Sequence, residues 1–116
     1  MTASWDSNIT IPACARKIDE VSQPGSVSFA RLPEDANQIY FSILADKSTY
    51  CGSVHILDVS PGSKPRVRIT VSDSDGTPPP AAGFVGRLFG GKPKYQSRPA
   101  IVEKAVEVLK GALPPT

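Results

Sequence analysis

Residues 38–72 read QIYFSILADKSTYCGSVHILDVSPGSKPRVRITVS, and this stretch decides the fold class. Ile39, Phe41 and Ile43 fall in phase across residues 38–44. Across residues 50–59, Val54, Ile56 and Asp58 face one way, while Cys51, Ser53, His55, Leu57 and Val59 face the other. Residues 66–72 alternate strictly, with Val67, Ile69 and Val71 set against Arg66, Arg68 and Thr70. A period of two in β-branched and aromatic residues predicts half-buried strands. The intervening turns, Asp46-Lys47-Ser48-Thr49 and Ser60-Pro61-Gly62-Ser63, are too short for a crossover, so the strands pair as antiparallel hairpins.

Upstream, residues 26–32 alternate in the same way, with Val27, Phe29 and Arg31 on one side, and residues 33–37 (PEDAN) supply a turn. Residues 5–11 read as a short strand or arm carrying Ile9 and Ile11. Thr10 then suits a helix cap and Pro12 a first helical turn, where its missing N–H costs nothing. Cys14, Ile18 and Val21 share one helical face before Pro24-Gly25 ends the element. Downstream, Val102, Ala105, Val106, Leu109 and Leu113 form an apolar stripe over residues 99–113, with Glu103, Lys104, Glu107 and Lys110 opposite. The expected fold is α+β: an antiparallel sheet of four to five strands in the order β-α-β-β-β-β-α, with helices on one face.

A chain of 116 residues with 40% hydrophobic and 21% charged side chains falls within the range of one globular domain and outside that of disordered chains. The single domain is expected to span residues 1–116, with residues 73–98 as a flexible Gly/Pro-rich basic segment between the last strand and the last helix. Compact domains rarely carry so long a connection, and when they do it is usually functional or disordered. Charge is uneven. Residues 61–98 hold seven basic side chains against two acidic ones, a net of +5, whereas the remainder holds six against nine, a net of −3. Such asymmetry predicts a locally positive surface near the segment.

Several patterns invite a chemical reading. Asp73-Ser74-Asp75-Gly76-Thr77, at the end of an apolar strand, resembles the first signature of haloacid-dehalogenase-type phosphatases, in which the first Asp is the nucleophile and the second handles a proton. That family also needs a parallel sheet, a downstream Ser or Thr, a Lys and a further acidic pair; the only acids after Asp75 are Glu103 and Glu107. The motif therefore reads as an Asp-rich turn. The same two carboxylates fall short of the six or more oxygens of a calcium loop. His55 and Cys51 share a strand face but sit four residues apart, roughly 13 Å, beyond hydrogen-bond reach. Cys14, Cys51 and His55 lack the paired spacing of zinc modules. Residues 83–92 are Gly-rich without the Gly-Lys-Ser/Thr ending of a phosphate loop. No cofactor or metal is expected.

What remains is an aromatic and basic strip. Phe84, Arg87, Phe89, Lys92, Lys94 and Tyr95 are the candidate binding residues, with Arg66 and Arg68 on the neighbouring strand. The expected function is a non-enzymatic interaction module whose partner is a protein. Membrane-surface or single-stranded nucleic-acid binding would use the same side chains, and folding back of Phe84, Leu88 and Phe89 to plug an open end of the core would be a structural use. The alternative function is a small-molecule carrier, holding an apolar ligand between sheet and C-terminal helix. Cys14 and Cys51 permit one disulfide, or serve equally as two buried thiols. The N-terminus MTASWDSN lacks the pattern of a signal peptide, so a cytoplasmic protein is expected as the chain is written. A processed chain would instead suit the bacterial envelope, where small proteins have a similar sheet-plus-helix plan.

Overall fold

The computed structural model describes residues 2–23, 27–31, 38–45, 48–73 and 99–116. Seven elements occur in the order β1 (Thr2–Ser7), α1 (Ile11–Val21), β2 (Val27–Arg31), β3 (Gln38–Ala45), β4 (Ser48–Asp58), β5 (Val67–Asp73) and α2 (Pro99–Ala112). The strands make one antiparallel sheet in the order β1-β5-β4-β3-β2. Strands β2 to β5 form the expected meander. The first strand then pairs with the last, Trp5 opposite Ile69 and Ser7 opposite Val67, and α1 carries the chain from one edge of the sheet to the other.

Both helices cover one face. The inward residues Trp5, Val27, Phe29, Ile39, Phe41, Val54, Ile56, Val67, Ile69 and Val71 form a single core with Cys14 and Ile18 of α1 and Ile101, Val102, Ala105 and Leu109 of α2. The period-two phase read from the sequence holds on all four meander strands. One close approach is specific to β3 and β4. Gly52 pairs with Phe41, whose ring lies where a Cβ on Gly52 would project, and the Ser72 carbonyl oxygen stands 2.6 Å from the same point. The missing side chain makes room for the largest fully buried residue of the core.

The start of α1 follows the cap chemistry. Thr10 is extended, its Oγ1 accepts from the Ala13 N–H at 3.4 Å, and Pro12 sits in the first turn. The end of α2 is held from β1. Trp5 Nε1 donates to the Leu113 carbonyl at 2.9 Å, Ser7 Oγ donates to the Pro114 carbonyl at 3.0 Å, and Lys110 lies over the Trp5 ring. Strand β1 differs from expectation: it spans Thr2–Ser7 rather than residues 5–11. The cause is non-local, since Ala3, Trp5 and Ser7 find their strand partners along β5, while Ile9 and Ile11 pack in the turn into α1.

Both edges of the sheet are partly closed by the chain itself. At β2, the Ser22 hydroxyl takes the place of a neighbouring strand: it accepts from the Phe29 N–H at 2.8 Å and donates to the Phe29 carbonyl at 3.4 Å, and Gln23 N–H donates to the Val27 carbonyl at 2.8 Å. At β1, Thr116 N–H donates to the Asp6 carbonyl at 2.9 Å.

Candidate functional site

Phe84, Arg87, Phe89, Lys92, Lys94 and Tyr95 lie outside the described residues, as does the whole of 74–98. The frame that carries this segment is well defined. Asp73 closes β5, a strand bonded on both sides. Pro99 opens α2, which packs mainly on β5 and ends beside Ser7 at the Val67 end of that strand. Helix α2 therefore runs back along β5, and the chain leaves the sheet and returns to it toward the same end.

The basic side chains of β5 do not share that end. Arg68 is five residues from Asp73, roughly 17 Å along the strand, and its Nε donates to Asp6 Oδ1 at 2.9 Å, which raises the guanidinium pKa. Arg66 lies farther still, and its Nε is buried with no hydrogen-bond partner among the described residues. The described members of the basic set, Lys64, Arg66 and Arg68, thus stand at or toward the hairpin end of β5.

Both cysteines are free and buried. Cys14 belongs to the core between sheet and helices, whereas Cys51 points out of the opposite face, in line with Ser53 and His55. Burial pushes the thiols up to about 11 for Cys14 and about 12 for Cys51. A nucleophilic cysteine needs its thiolate, and burial suppresses it here. His55 is exposed. The outward face around them is polar, with Ser4 Oγ bonded to Thr70 Oγ1 at 3.2 Å and Thr2 Oγ1 to Ser72 Oγ at 3.3 Å. Leu57, 48% exposed, is the large apolar side chain of this face among the described residues, and Cys51 at 1% and Ser42 at 7% exposure are its buried members, opposite each other on β4 and β3. Asp73 ends a strand antiparallel to both neighbours, so the sheet is not the parallel one that the phosphatase-like motif requires.

A half-open pocket of about 180 Å³ lies at the other end of the molecule, between the start of α1 and the β4–β5 hairpin. Ile9, Ile11, Pro12, Pro65 and Val67 give it apolar walls, with Thr10, Asp58 and Ser60 as its polar members. Asp58 Oδ1 accepts from the Ser60 N–H at 2.9 Å and from Ser60 Oγ at 2.5 Å, and these bonds hold its carboxyl below the usual carboxylate range. Ser60 Oγ in turn accepts from the Arg66 N–H at 2.9 Å, fixing the base of the hairpin. Helix α1 has no acidic residue in its first turn. Asp58, which shares the pocket with that turn, brings a negative charge to a helix end that favours one. The pocket is smaller than the roughly 300 Å³ at which small-molecule sites begin, and it lies away from the region beneath α2 where the sequence placed a carrier cavity. Sequence reading put Asp58 on the inward face but not in a pocket; the Asp-x-Ser spacing of an Asx turn was the available signal.

Among the described residues, no group of three or more His, Cys, Asp or Glu gathers as a metal centre, and no helix is long and apolar enough to cross a membrane. Comparison with known protein families, with curated proteins and with solved structures found no match to this chain.

Proposed function

We propose that the protein is a non-enzymatic interaction module that engages a protein partner through residues 74–98. The observation that carries this reading is the placement of the segment's two ends. Asp73 and Pro99 are fixed in the two-layer frame and open toward the same end of it. Binding segments are characteristically connections set on a rigid scaffold. The sequence between those ends supplies aromatic anchors in Phe84, Phe89 and Tyr95 and cationic hydrogen-bond donors in Arg87, Lys92 and Lys94. Aromatic and arginine side chains dominate the energetics of protein interfaces.

The test compares affinity capture by the native chain with capture by a variant carrying Phe84→Ala, Arg87→Ala and Phe89→Ala, with thermal melting of both proteins. The expected result is an unchanged melting temperature and loss of a protein that the native chain retains in moderate salt. Unchanged capture with a lowered melting temperature would overturn the reading, because the three side chains would then belong to the core. Capture lost only on nucleic-acid digestion, or only without anionic vesicles, would assign the strip to those partners instead.

A further inference from the structure

Among the described residues, the hydrogen bonds of the sheet leave a short window of the β1 backbone without a partner. Val59 N–H donates to the Arg66 carbonyl, which fixes the even-numbered residues of β5 as those bonded to β4 and the odd-numbered ones as those bonded to β1. In β1 the residues opposite those odd positions are Ala3, Trp5 and Ser7. The backbone groups of Thr2, Ser4 and Asp6 therefore point away from the sheet. Thr116 closes Asp6. Thr2 and Ser4 are exposed, and their hydroxyls are engaged with Ser72 and Thr70 on the outward face, while their outward N–H and C=O groups have no partner among the described residues. At the opposite edge Ser22 and Gln23 occupy the groups of Phe29 and the carbonyl of Val27. An exposed row of strand donors and acceptors is a template for another strand.

We propose that the Thr2–Ser4 window pairs with the same window of a second copy of this chain, antiparallel about a twofold axis through Ala3. In that register Thr2 N–H donates to the carbonyl of the partner's Ser4, and Ser4 N–H donates to the carbonyl of the partner's Thr2. Symmetry repeats both bonds, so the four free groups of each copy are satisfied together and the sheets join into one of ten strands. Ala3 faces its own symmetry mate as a non-hydrogen-bonded pair, the closer of the two antiparallel spacings at about 4.5 Å, and its small side chain suits that approach. The occupant is a second copy rather than a free peptide because the window is short: Thr116 ends it at Asp6, and so few main-chain bonds do not offset the ordering of a loose strand. A folded copy presents the strand already ordered. Self-complementary contact of one patch with itself is the rule for twofold dimers.

Sedimentation of the full chain over a range of concentrations tests this directly, and dimer formation rising with concentration is expected. Ser4→Pro removes an N–H that no bond of the ladder uses, a position where edge proline is tolerated, and is expected to weaken the dimer about tenfold or more with melting unchanged. Ser4→Lys keeps the backbone intact and serves if the proline variant fails to fold; it is expected to weaken the dimer through charge at the edge. Ala3→Cys in a glutathione redox buffer is expected to give a covalent dimer, since the paired Cα spacing lies within disulfide range and the native thiols are buried. A chain that stays monomeric at every concentration overturns the proposal. So does a dimer that survives both substitutions at Ser4, or one that Ala3→Cys does not cross-link.

Discussion

Gly52 shows at a single residue how the core constrains the sheet. It lies on β4 between β3 and β5, with the Phe41 ring over its α-carbon and the Ser72 carbonyl oxygen beside it. An added methyl meets both the ring and the backbone, and a backbone atom does not swing aside. Gly52→Ala is therefore expected to destabilise the fold by about 1–3 kcal/mol, the usual cost of overpacking, seen as a lowered midpoint in urea unfolding. Phe41→Leu in the same background should return part of the loss by relieving the ring contact; a double variant no better than the single would place the strain at Ser72. The two thiols act at the same scale on pH dependence. Cys14 and Cys51 ordinarily titrate near 9 but are raised to about 11 and about 12 by burial. Above pH 9 the unfolded chain releases protons that the folded chain keeps, so the unfolded state binds fewer and stability falls as pH rises. The expected outcome is a progressive loss of stability from pH 9 toward 11, smaller in Cys14→Ala than in the native chain once each is referred to its own stability at pH 8.

At the scale of elements, what was legible depended on whether a signal was local. The meander strands and the two helices follow from periods of two and 3.6, and Thr10 and Pro12 mark the start of α1 within a residue. Strand β1 was expected, but over residues 5–11, because TASWDS has no β-branched run and its bounds are set only by pairing with β5 some 65 residues later in sequence. The closing of the β2 edge was equally hidden, because Ser22 reads as an ordinary residue after a helix. Its hydroxyl nevertheless accepts the Phe29 N–H at 2.8 Å. Ser22→Ala is expected to cost about 1–2 kcal/mol, the penalty of a part-buried donor left without its acceptor, measured by thermal melting. It also reopens an edge, so aggregation on heating should rise more than in Thr10→Ala, which removes only a helix cap bond. Equal aggregation in the two variants would show that Ser22 does not guard the edge.

For the whole molecule, the sequence located its candidate site in the one long connection, and that site falls outside the described residues, whereas the frame around it is well defined. The frame also separates features that lie close together in sequence. Arg66 and Arg68 stand toward the hairpin end of β5, and the connection leaves from the other end at Asp73. Cys14 and Cys51 lie on opposite faces of the sheet, a separation that a count of cysteines does not reveal. The sheet and the two helices share one core whose members include Trp5, Phe41, Ile69 and Leu109, and the C-terminus is tied back to β1 through Trp5, Ser7 and Asp6. If this core is sufficient, folding does not depend on which side chains occupy residues 74–98, only on a connection long enough to join Asp73 to Pro99. Replacing residues 74–98 by Gly and Ser at equal length keeps the loop-closure entropy nearly constant while removing Phe84, Leu88, Phe89 and Tyr95. The expected outcome is cooperative unfolding with a midpoint within a few degrees of the native chain and loss of partner capture. A collapse of cooperativity would mean instead that those aromatic side chains complete the core, and the search for a binding surface would then turn to the outward face of the sheet around the exposed His55 and Leu57.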